Sequence, residues 1–140
     1  MAEGSKIRVR LVTPEKVLVD DTADAVELPA TSGYMEVLYG HAPLMAELGS
    51  GDVTFHGLDG TEVTRYNVSW GFVEVLPERV TILANDALIP SAIDVPRAKE
   101  QRERGEALWN QAGDSAEAYV EANRVIHEAE AKLASAASKG

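Results

Sequence analysis

The chain has 140 residues and a formal net charge of −10, it contains no cysteine, and 45% of its residues are hydrophobic. This length fits one ordinary domain, or a small domain with an appendage, and the apolar content excludes a disordered protein. The acidic balance excludes a general nucleic-acid binder and charge-driven docking on anionic lipid, and the lack of cysteine excludes disulfides and thiolate metal sites.

Neither a signal peptide nor a membrane span is indicated. The first residues, from Met1 to Lys6, lack an apolar signal core, and no stretch approaches the roughly 18 apolar residues that a spanning helix needs. We therefore expect a cytoplasmic protein. If it works at a membrane, another protein must anchor it there.

The first half of the chain predicts short strands separated by turns. Apolar and basic residues alternate in Ile7–Leu11, which indicates a strand with one buried face. Asp59-Gly60 is a strong hairpin signal, because both positions tolerate a positive φ. The further predicted strands are Val17–Val19, Ala25–Leu28, Tyr34–Leu38, Leu44–Leu48, Asp52–His56, Glu62–Val68, Trp70–Leu76 and Val80–Ala84. About eight or nine strands at this spacing predict an antiparallel sandwich or a flattened barrel.

The composition changes near Pro90, where glycine, proline and valine give way to alanine. Such a shift marks a boundary between structural units, so we place the strands in residues 1–90 and a helical unit in residues 91–140.

Two helices are predicted in the second unit. Asp94 is a good N-cap for a helix from about Val95 to Gln111. Gly113 then supplies a stop, and either Asp114 or Ser115 caps the second helix. The short connection predicts that the two helices pack antiparallel.

The seam between these helices is thin. The second helix offers apolar residues in steps of three and four, namely Tyr119, Ala122, Ile126, Ala129, Leu133 and Ala136. The first helix offers Ala98, Gly105, Leu108 and Ala112. Burial contributes about 0.8 kcal/mol per methyl-sized group, and a glycine inside a helix costs about 1 kcal/mol against alanine. We therefore expect a marginal hairpin that can move.

Catalytic chemistry has little support in the sequence. His41 would need a positioned nucleophile and an orienting acid to act as a general base, so a hydrogen-bonded structural histidine is favoured. His56 and His127 lack metal-ligand spacing, and no phosphate-binding glycine loop is present. Two alternatives stay open: a small hydrolase that uses His41, and a stand-alone ligand-binding sandwich.

Three motifs point to a known family: Val12–Lys16, Gly40–Leu44 and Val68–Val75. Their sequences are Val-Thr-Pro-Glu-Lys, Gly-His-Ala-Pro-Leu and Val-Ser-Trp-Gly-Phe-Val-Glu-Val. Their order and spacing, followed by Val80–Ala84 and a helical hairpin, resemble the epsilon subunits of bacterial and chloroplast F-type ATP synthases, the counterparts of the mitochondrial delta subunit. The resemblance covers essentially the whole chain. It implies an α+β fold, with an antiparallel sandwich of about ten strands before an antiparallel two-helix hairpin.

The resemblance implies a non-catalytic rotor subunit in the central stalk of a proton-translocating F-type ATP synthase. In this family the sandwich joins the gamma shaft to the c-ring, and a movable hairpin inhibits ATP hydrolysis. The complex is peripheral on the cytoplasmic face of the inner membrane.

Segment 32–41 corresponds to the part of the family that faces the c-ring. The implied contact residues are Tyr34, Glu36, Tyr39 and His41. The first three depart from the family pattern, which alters the chemistry of the contact, since tyrosine offers apolar area and a hydroxyl together. Trp70 replaces a residue that is usually small, and it is either an interface anchor or core filler.

A regulatory ATP site is also implied, and no other cofactor. The residues that match are Ile93, Asp94, Arg97, Ala98 and Arg124. Strong ATP binders carry a second arginine one turn after Arg124, where this chain has Glu128, and a carboxylate repels a triphosphate. The alternative is that Asp94 caps a helix and Ala98 packs in the interior.

The last implied contact is electrostatic. Basic residues of extended helices in the family meet an acidic segment of the catalytic beta subunits, beside the alpha subunits. The matching residues here are Arg97, Lys99, Arg102 and Arg104. The alternative is pairing within the helix at four-residue spacing, worth about 0.3–0.5 kcal/mol per pair. Those pairs would be Lys99 with Glu103, Glu100 with Arg104, and Arg102 with Glu106.

Overall fold

The computed structural model describes residues 5–138, and the chain divides into two compact units between Leu88 and Ile89. The first unit contains seven strands: β1 (Ile7–Val12), β2 (Val17–Ala23), β3 (Ala25–Ala30), β4 (Gly33–Val37), β5 (Leu44–Leu58), β6 (Thr61–Leu76) and β7 (Arg79–Leu88). The second contains a short 3-10 turn (Pro90–Ala92), α1 (Val95–Asn110) and α2 (Ala116–Ser138). The predicted α+β class is confirmed.

All seven strands hydrogen-bond into one sheet in the order β2-β1-β7-β6-β5-β3-β4. Neighbouring strands are antiparallel except for β1 and β7, which run parallel with Arg8 opposite Arg79. The expectation of an antiparallel sheet is therefore wrong for this pair. These two strands lie at opposite ends of the unit's sequence, so no local turn signals their pairing.

The long strands β5, β6 and β7 bend at one level, which we call the crease. The strand pairing steps over Gly49, Trp70 and Asn85, which lie level with one another. Trp70 has a φ of 56° and Gly71 a φ of 141°. Gly71 must be glycine, because a Cβ there would lie 1.9 Å from the carbonyl oxygen of Leu83.

Beyond the crease the sheet folds back on itself. The Asp24 amide donates to the His56 carbonyl at 2.7 Å, and the Asp59 amide donates to the Thr22 carbonyl at 3.2 Å. These bonds join the β2 side of the sheet to the far end of β5. The core between the layers includes Ile7, Val9, Leu11, Val26, Leu28, Val53, Phe55, Val68, Val73 and Ile82, all fully buried. This is the predicted sandwich.

The structure has seven strands, whereas the sequence predicts up to nine and the resemblance implies about ten. Two pairs of predicted strands run together through the crease, which accounts for the reduction from nine to seven. Leu44–Leu48 and Asp52–His56 are both part of β5. Glu62–Val68 and Trp70–Leu76 are both part of β6. Their central glycines and the left-handed Trp70 bend the strands without ending them.

The caps of the hairpin follow the sequence closely. The Asp94 carboxylate accepts a hydrogen bond of 3.1 Å from the Arg97 amide at the start of α1. Gly113 has a φ of 60° after the helix ends, as a helix stop requires. The Ser115 hydroxyl accepts from the Ala118 amide at 3.1 Å, so Ser115 caps α2.

The two helices are antiparallel, since Gly105 contacts Ile126 while Trp109 contacts Tyr119. Ala122 and Ala129 are fully buried, as the seam predicts. Leu108, expected in the seam, is instead 41% exposed. Within residues 5–138 neither helix combines the length and apolar character needed to cross a bilayer.

Candidate functional site

The four residues implied in c-ring contact lie along the edge of the sheet formed by β4 and the loop that follows it, which we call the β4 margin. β4 is the terminal strand of the sheet, its backbone pairs with β3, and it begins beside Tyr34. Glu36 lies farther along it, opposite Glu27, and Tyr39 and His41 follow in the loop to β5. The structure therefore places these side chains in a row rather than in one cluster.

Tyr34 has a structural bond at the crease end of this row. Its hydroxyl accepts a hydrogen bond of 3.0 Å from the Asp52 amide in β5. A Cβ on Gly51 would lie 2.4 Å from the same hydroxyl oxygen, so glycine makes room for the tyrosine. Tyr34 is 65% exposed and thus keeps an outer surface for a partner.

The loop that carries Tyr39 and His41 is fastened at the opposite end of the sandwich. The Gly40 amide donates to the Pro77 carbonyl at 2.6 Å, in the turn between β6 and β7. The His41 Nδ1 donates to the Ala42 carbonyl at 2.7 Å, because a carbonyl oxygen can only accept. This is the structural role favoured for His41, and within residues 5–138 no carboxylate or hydroxyl hydrogen-bonds its ring.

Sequence reasoning missed a row of apolar side chains across the outer face of the sheet. Phe72 in β6 lies opposite Leu83 in β7, Leu83 lies opposite Val12 in β1, and Val12 lies opposite Val17 in β2. Phe72 is 53% exposed and Leu83 is 51% exposed. We call these four residues the outer apolar row. Only the strand register makes them neighbours, so no local signal in the sequence could have found the row.

The residues of the implied nucleotide site do not converge in this structure. Ile93 and Ala98 are buried, and Asp94 is engaged in the helix cap. Gly105 lies against Ile126, so Arg124 is level with the middle of α1. Arg97 therefore lies about ten residues along α1, nearly three helical turns or roughly 15 Å, from the level of Arg124. The capping and packing roles are the ones observed here.

The basic residues of α1 form two pairs on opposite flanks of the helix. Arg97 and Arg104 are seven residues apart and share one flank, while Lys99 and Arg102 are three apart and share the other. Within residues 5–138 none of the expected four-residue pairs of α1 lies within ion-pair distance. The prediction of pairing within the helix is therefore wrong, and these cations are open to a partner.

The comparisons with known proteins agree on one family. The model of the ATP synthase delta/epsilon chain beta-sandwich domain matches residues 6–90. The ATP synthase epsilon chain of Solibacter usitatus is 40% identical over 136 residues, which cover 95% of this chain and 97% of that one. The chain belongs to the ATP synthase delta/epsilon family. The epsilon chain of Koribacter versatilis is 44% identical over 103 residues, covering 74% of this chain and 71% of that one.

Chains of solved ATP synthase structures have the same fold. A chain in the Euglena gracilis mitochondrial ATP synthase (OSCP/F1/c-ring) superposes with a TM-score of 0.78 at 19% identity, covering 96% of this chain and 85% of that one. A chain in the central stalk and c-ring of the Tetrahymena thermophila enzyme gives 0.61 at 15% identity, covering 96% and 99%. The predicted resemblance is confirmed, as is the assignment to a non-catalytic subunit of ATP synthase.

Proposed function

We propose that this epsilon-family chain is a rotor subunit in the central stalk of a proton-translocating F-type ATP synthase. Its sandwich joins the gamma shaft to the c-ring, and its hairpin restrains ATP hydrolysis. The names of its relatives and the stalk assemblies that contain its fold neighbours support this role. The complex lies on the cytoplasmic face of the inner membrane.

The outer apolar row is the observation that carries the gamma contact. Single apolar side chains are common on protein surfaces, but an aligned row across four strands marks an interaction site. The row is continuous, because direct cross-strand partners stand side by side on the same face of a sheet. Such a surface suits a helical shaft whose apolar side chains would otherwise meet water.

The β4 margin is the surface that we assign to the c-ring. Leu38, Tyr39 and Leu44 are exposed around the loop that the Gly40–Pro77 bond fastens. This end combines apolar area with the phenol of Tyr39 and the free ring edge of His41, and it suits the mixed polarity of loops at a membrane surface.

Inhibition is assigned to the two basic flanks of α1. Arg97 and Lys99 are exposed and lack intrahelical ion pairs, so contact with an acidic segment of a beta subunit sacrifices no existing pair. Regulatory ATP binding is a further proposal. It requires the hairpin to rearrange, since Arg124 lies nearly three helical turns from Arg97 in the arrangement described above.

Titration with the cognate gamma subunit tests the proposed function. Phe72→Glu places a charge in the outer apolar row and is expected to weaken binding at least about tenfold. Val63→Glu is the matched control, because Val63 is also an exposed apolar residue of β6 but lies beyond the crease. It is expected to change the affinity less than about twofold.

Circular dichroism of both variants establishes that they are folded. If Phe72→Glu binds gamma as tightly as the wild type, or if both variants lose the same affinity, the outer apolar row is not the gamma contact. Absence of any gamma binding by the wild type would overturn the rotor role itself.

A further inference from the structure

An open groove of about 540 Å³ lies between α1 and α2, near the turn that joins them. It is lined by Glu106, Trp109 and Asn110 of α1 and by Asn123 and Ile126 of α2. All five residues belong to the helical unit. None of them is among the residues that carry the proposed rotor function, so the site stands apart from it.

The polar groups in this groove are unused. Within residues 5–138 the Glu106 carboxylate has no ion pair, although Arg102 lies one turn before it. The carboxamides of Asn110 and Asn123 make no hydrogen bond to any described residue either. A carboxylate and two carboxamides thus line one groove without a hydrogen-bond partner among residues 5–138.

An aromatic ring forms one wall of the groove. Trp109 is 44% exposed, and its ring is held edge-to-face against Tyr119 with 4.7 Å between centroids. The contact fixes the orientation of the indole while leaving a large part of the side chain uncovered. A tryptophan face beside a carboxylate attracts a guanidinium or ammonium group, through the negative face of the ring and through the opposite charge.

The surrounding charge favours the same ligand. From Gly105 to Asn123 the sequence contains four acidic residues and no lysine or arginine. The acids are Glu106, Asp114, Glu117 and Glu121. The turn end of the hairpin is therefore negative, in contrast to the basic start of α1. Val120, three residues before Asn123 on α2, is 70% exposed and adds apolar area on that side.

We propose that this groove is a docking site for a basic protein segment, with one arginine or lysine side chain seated between Trp109 and Glu106. The indole stacks on the cation, the carboxylate pairs with it, and the two carboxamide oxygens accept its remaining N–H donors. A leucine-like neighbour in the segment contacts Val120. Arginine suits the site better than lysine, because its planar group stacks and donates along several directions at once.

NMR titration of the full ¹⁵N-labelled chain tests this proposal. The probe is a leucine- and arginine-rich peptide with blocked ends. The chain has two tryptophans, so the two indole N–H signals report the groove (Trp109) and the strand unit (Trp70) separately. Saturable movement of the Trp109 signal and of the Asn110 and Asn123 amide signals is expected, with the Trp70 signal unchanged.

Two matched variants separate the site from general attraction to an acidic protein. Glu106→Gln removes the groove carboxylate with almost no change in shape, and is expected to weaken the peptide about fivefold. Glu121→Gln removes the same charge from the same hairpin outside the groove lining, and is expected to change affinity less than about twofold. Trp109→Leu is expected to weaken binding with the carboxylate intact, since only the aromatic face is lost.

Several results would overturn the proposal. Equal losses in Glu106→Gln and Glu121→Gln would mean that net charge alone attracts the peptide. Movement of the Trp70 indole signal together with that of Trp109 would mean unspecific association. Free arginine that binds as tightly as the peptide would assign the groove to a small organic cation instead of a protein segment. A peptide with glutamate in place of arginine is expected to leave all these signals in place.

Discussion

Gly105 of α1 and Ile126 of α2 meet so closely that a Cβ on Gly105 would lie 2.7 Å from the Cγ1 of Ile126. The same Cβ would lie 3.1 Å from the Ile126 backbone nitrogen, which cannot swing aside as a side chain can. The sequence alone treats this glycine as a weakness inside a helix. The structure makes it the point at which the two helices approach each other.

This contact predicts an unusual sign for Gly105→Ala. Helix propensity alone predicts a gain of about 1 kcal/mol, whereas overpacking at a tight contact costs about 1–3 kcal/mol. We expect a net loss of about 1 kcal/mol in the stability of the hairpin, measured by thermal unfolding followed at a helical circular-dichroism band. Ala107→Gly, at an exposed site of the same helix, shows the ordinary cost of a glycine. A more stable Gly105→Ala variant would mean that the helices separate freely at this point.

The Tyr34 hydrogen bond predicts different outcomes for two tyrosines of the β4 margin. Tyr34→Phe removes the acceptor of the Asp52 amide and is expected to cost about 0.5–1.5 kcal/mol of unfolding free energy in urea. Tyr39→Phe is expected to change it by less than about 0.5 kcal/mol, since within residues 5–138 its hydroxyl bonds to no other group. For c-ring binding we expect the opposite order: Tyr39→Phe lowers the affinity more than Tyr34→Phe does. Equal stability of the two variants would contradict the structural role of Tyr34.

Truncation after Leu88 separates the two proposed activities. Of the residues that the structure describes, none after Leu88 takes part in the sheet, so we expect the shortened chain to fold and to bind gamma like the full chain. We also expect the full chain, but not the shortened one, to lower the ATPase rate of a gamma-containing catalytic head. Equal inhibition by both chains would move the inhibitory contact from the hairpin to the sandwich.

Calorimetry with Mg-ATP tests the nucleotide proposal. We expect weak binding that Arg97→Ala abolishes and that Arg104→Ala, one flank position farther along α1, leaves unchanged. Glu128→Arg is expected to strengthen binding about tenfold, because it exchanges repulsion for attraction at a triphosphate. If the heat of Mg-ATP binding is the same in Arg97→Ala as in the wild type, the nucleotide does not bind at the residues proposed here.

Local chemistry allowed much of the fold to be predicted from the sequence. Asp59-Gly60 forms a turn with φ values of 47° and 79°, and Asp94 caps α1 as its side chain suggests. Predictions were wrong or absent where distant residues decide the structure. The parallel pairing of β1 with β7 and the outer apolar row depend on register between strands far apart in sequence.

The candidate sites divide in the same way. The motif around His41 located the loop at one end of the β4 margin, but the bond from Gly40 to Pro77 that fastens it needs the folded chain. The sequence offers one signal for the groove, since Trp109 follows Glu106 by three positions on a predicted helix. Its other wall could not be inferred, because Asn123 joins it only through the relative positions of the two helices.

The parallel pair of strands decides where a label can be attached without disturbing the molecule. The Arg8 amide donates to the Glu78 carbonyl at 3.0 Å, so the chain enters the sandwich beside the turn that anchors the loop of Tyr39. An affinity handle or fluorophore fused ahead of Ile7 would crowd that loop. A lone cysteine introduced at Glu15 avoids this: it is exposed in the turn at the opposite end, and it would be the sole thiol in the protein. Rotation measured through that thiol would test the proposed rotor role without disturbing the loop that we assign to the c-ring.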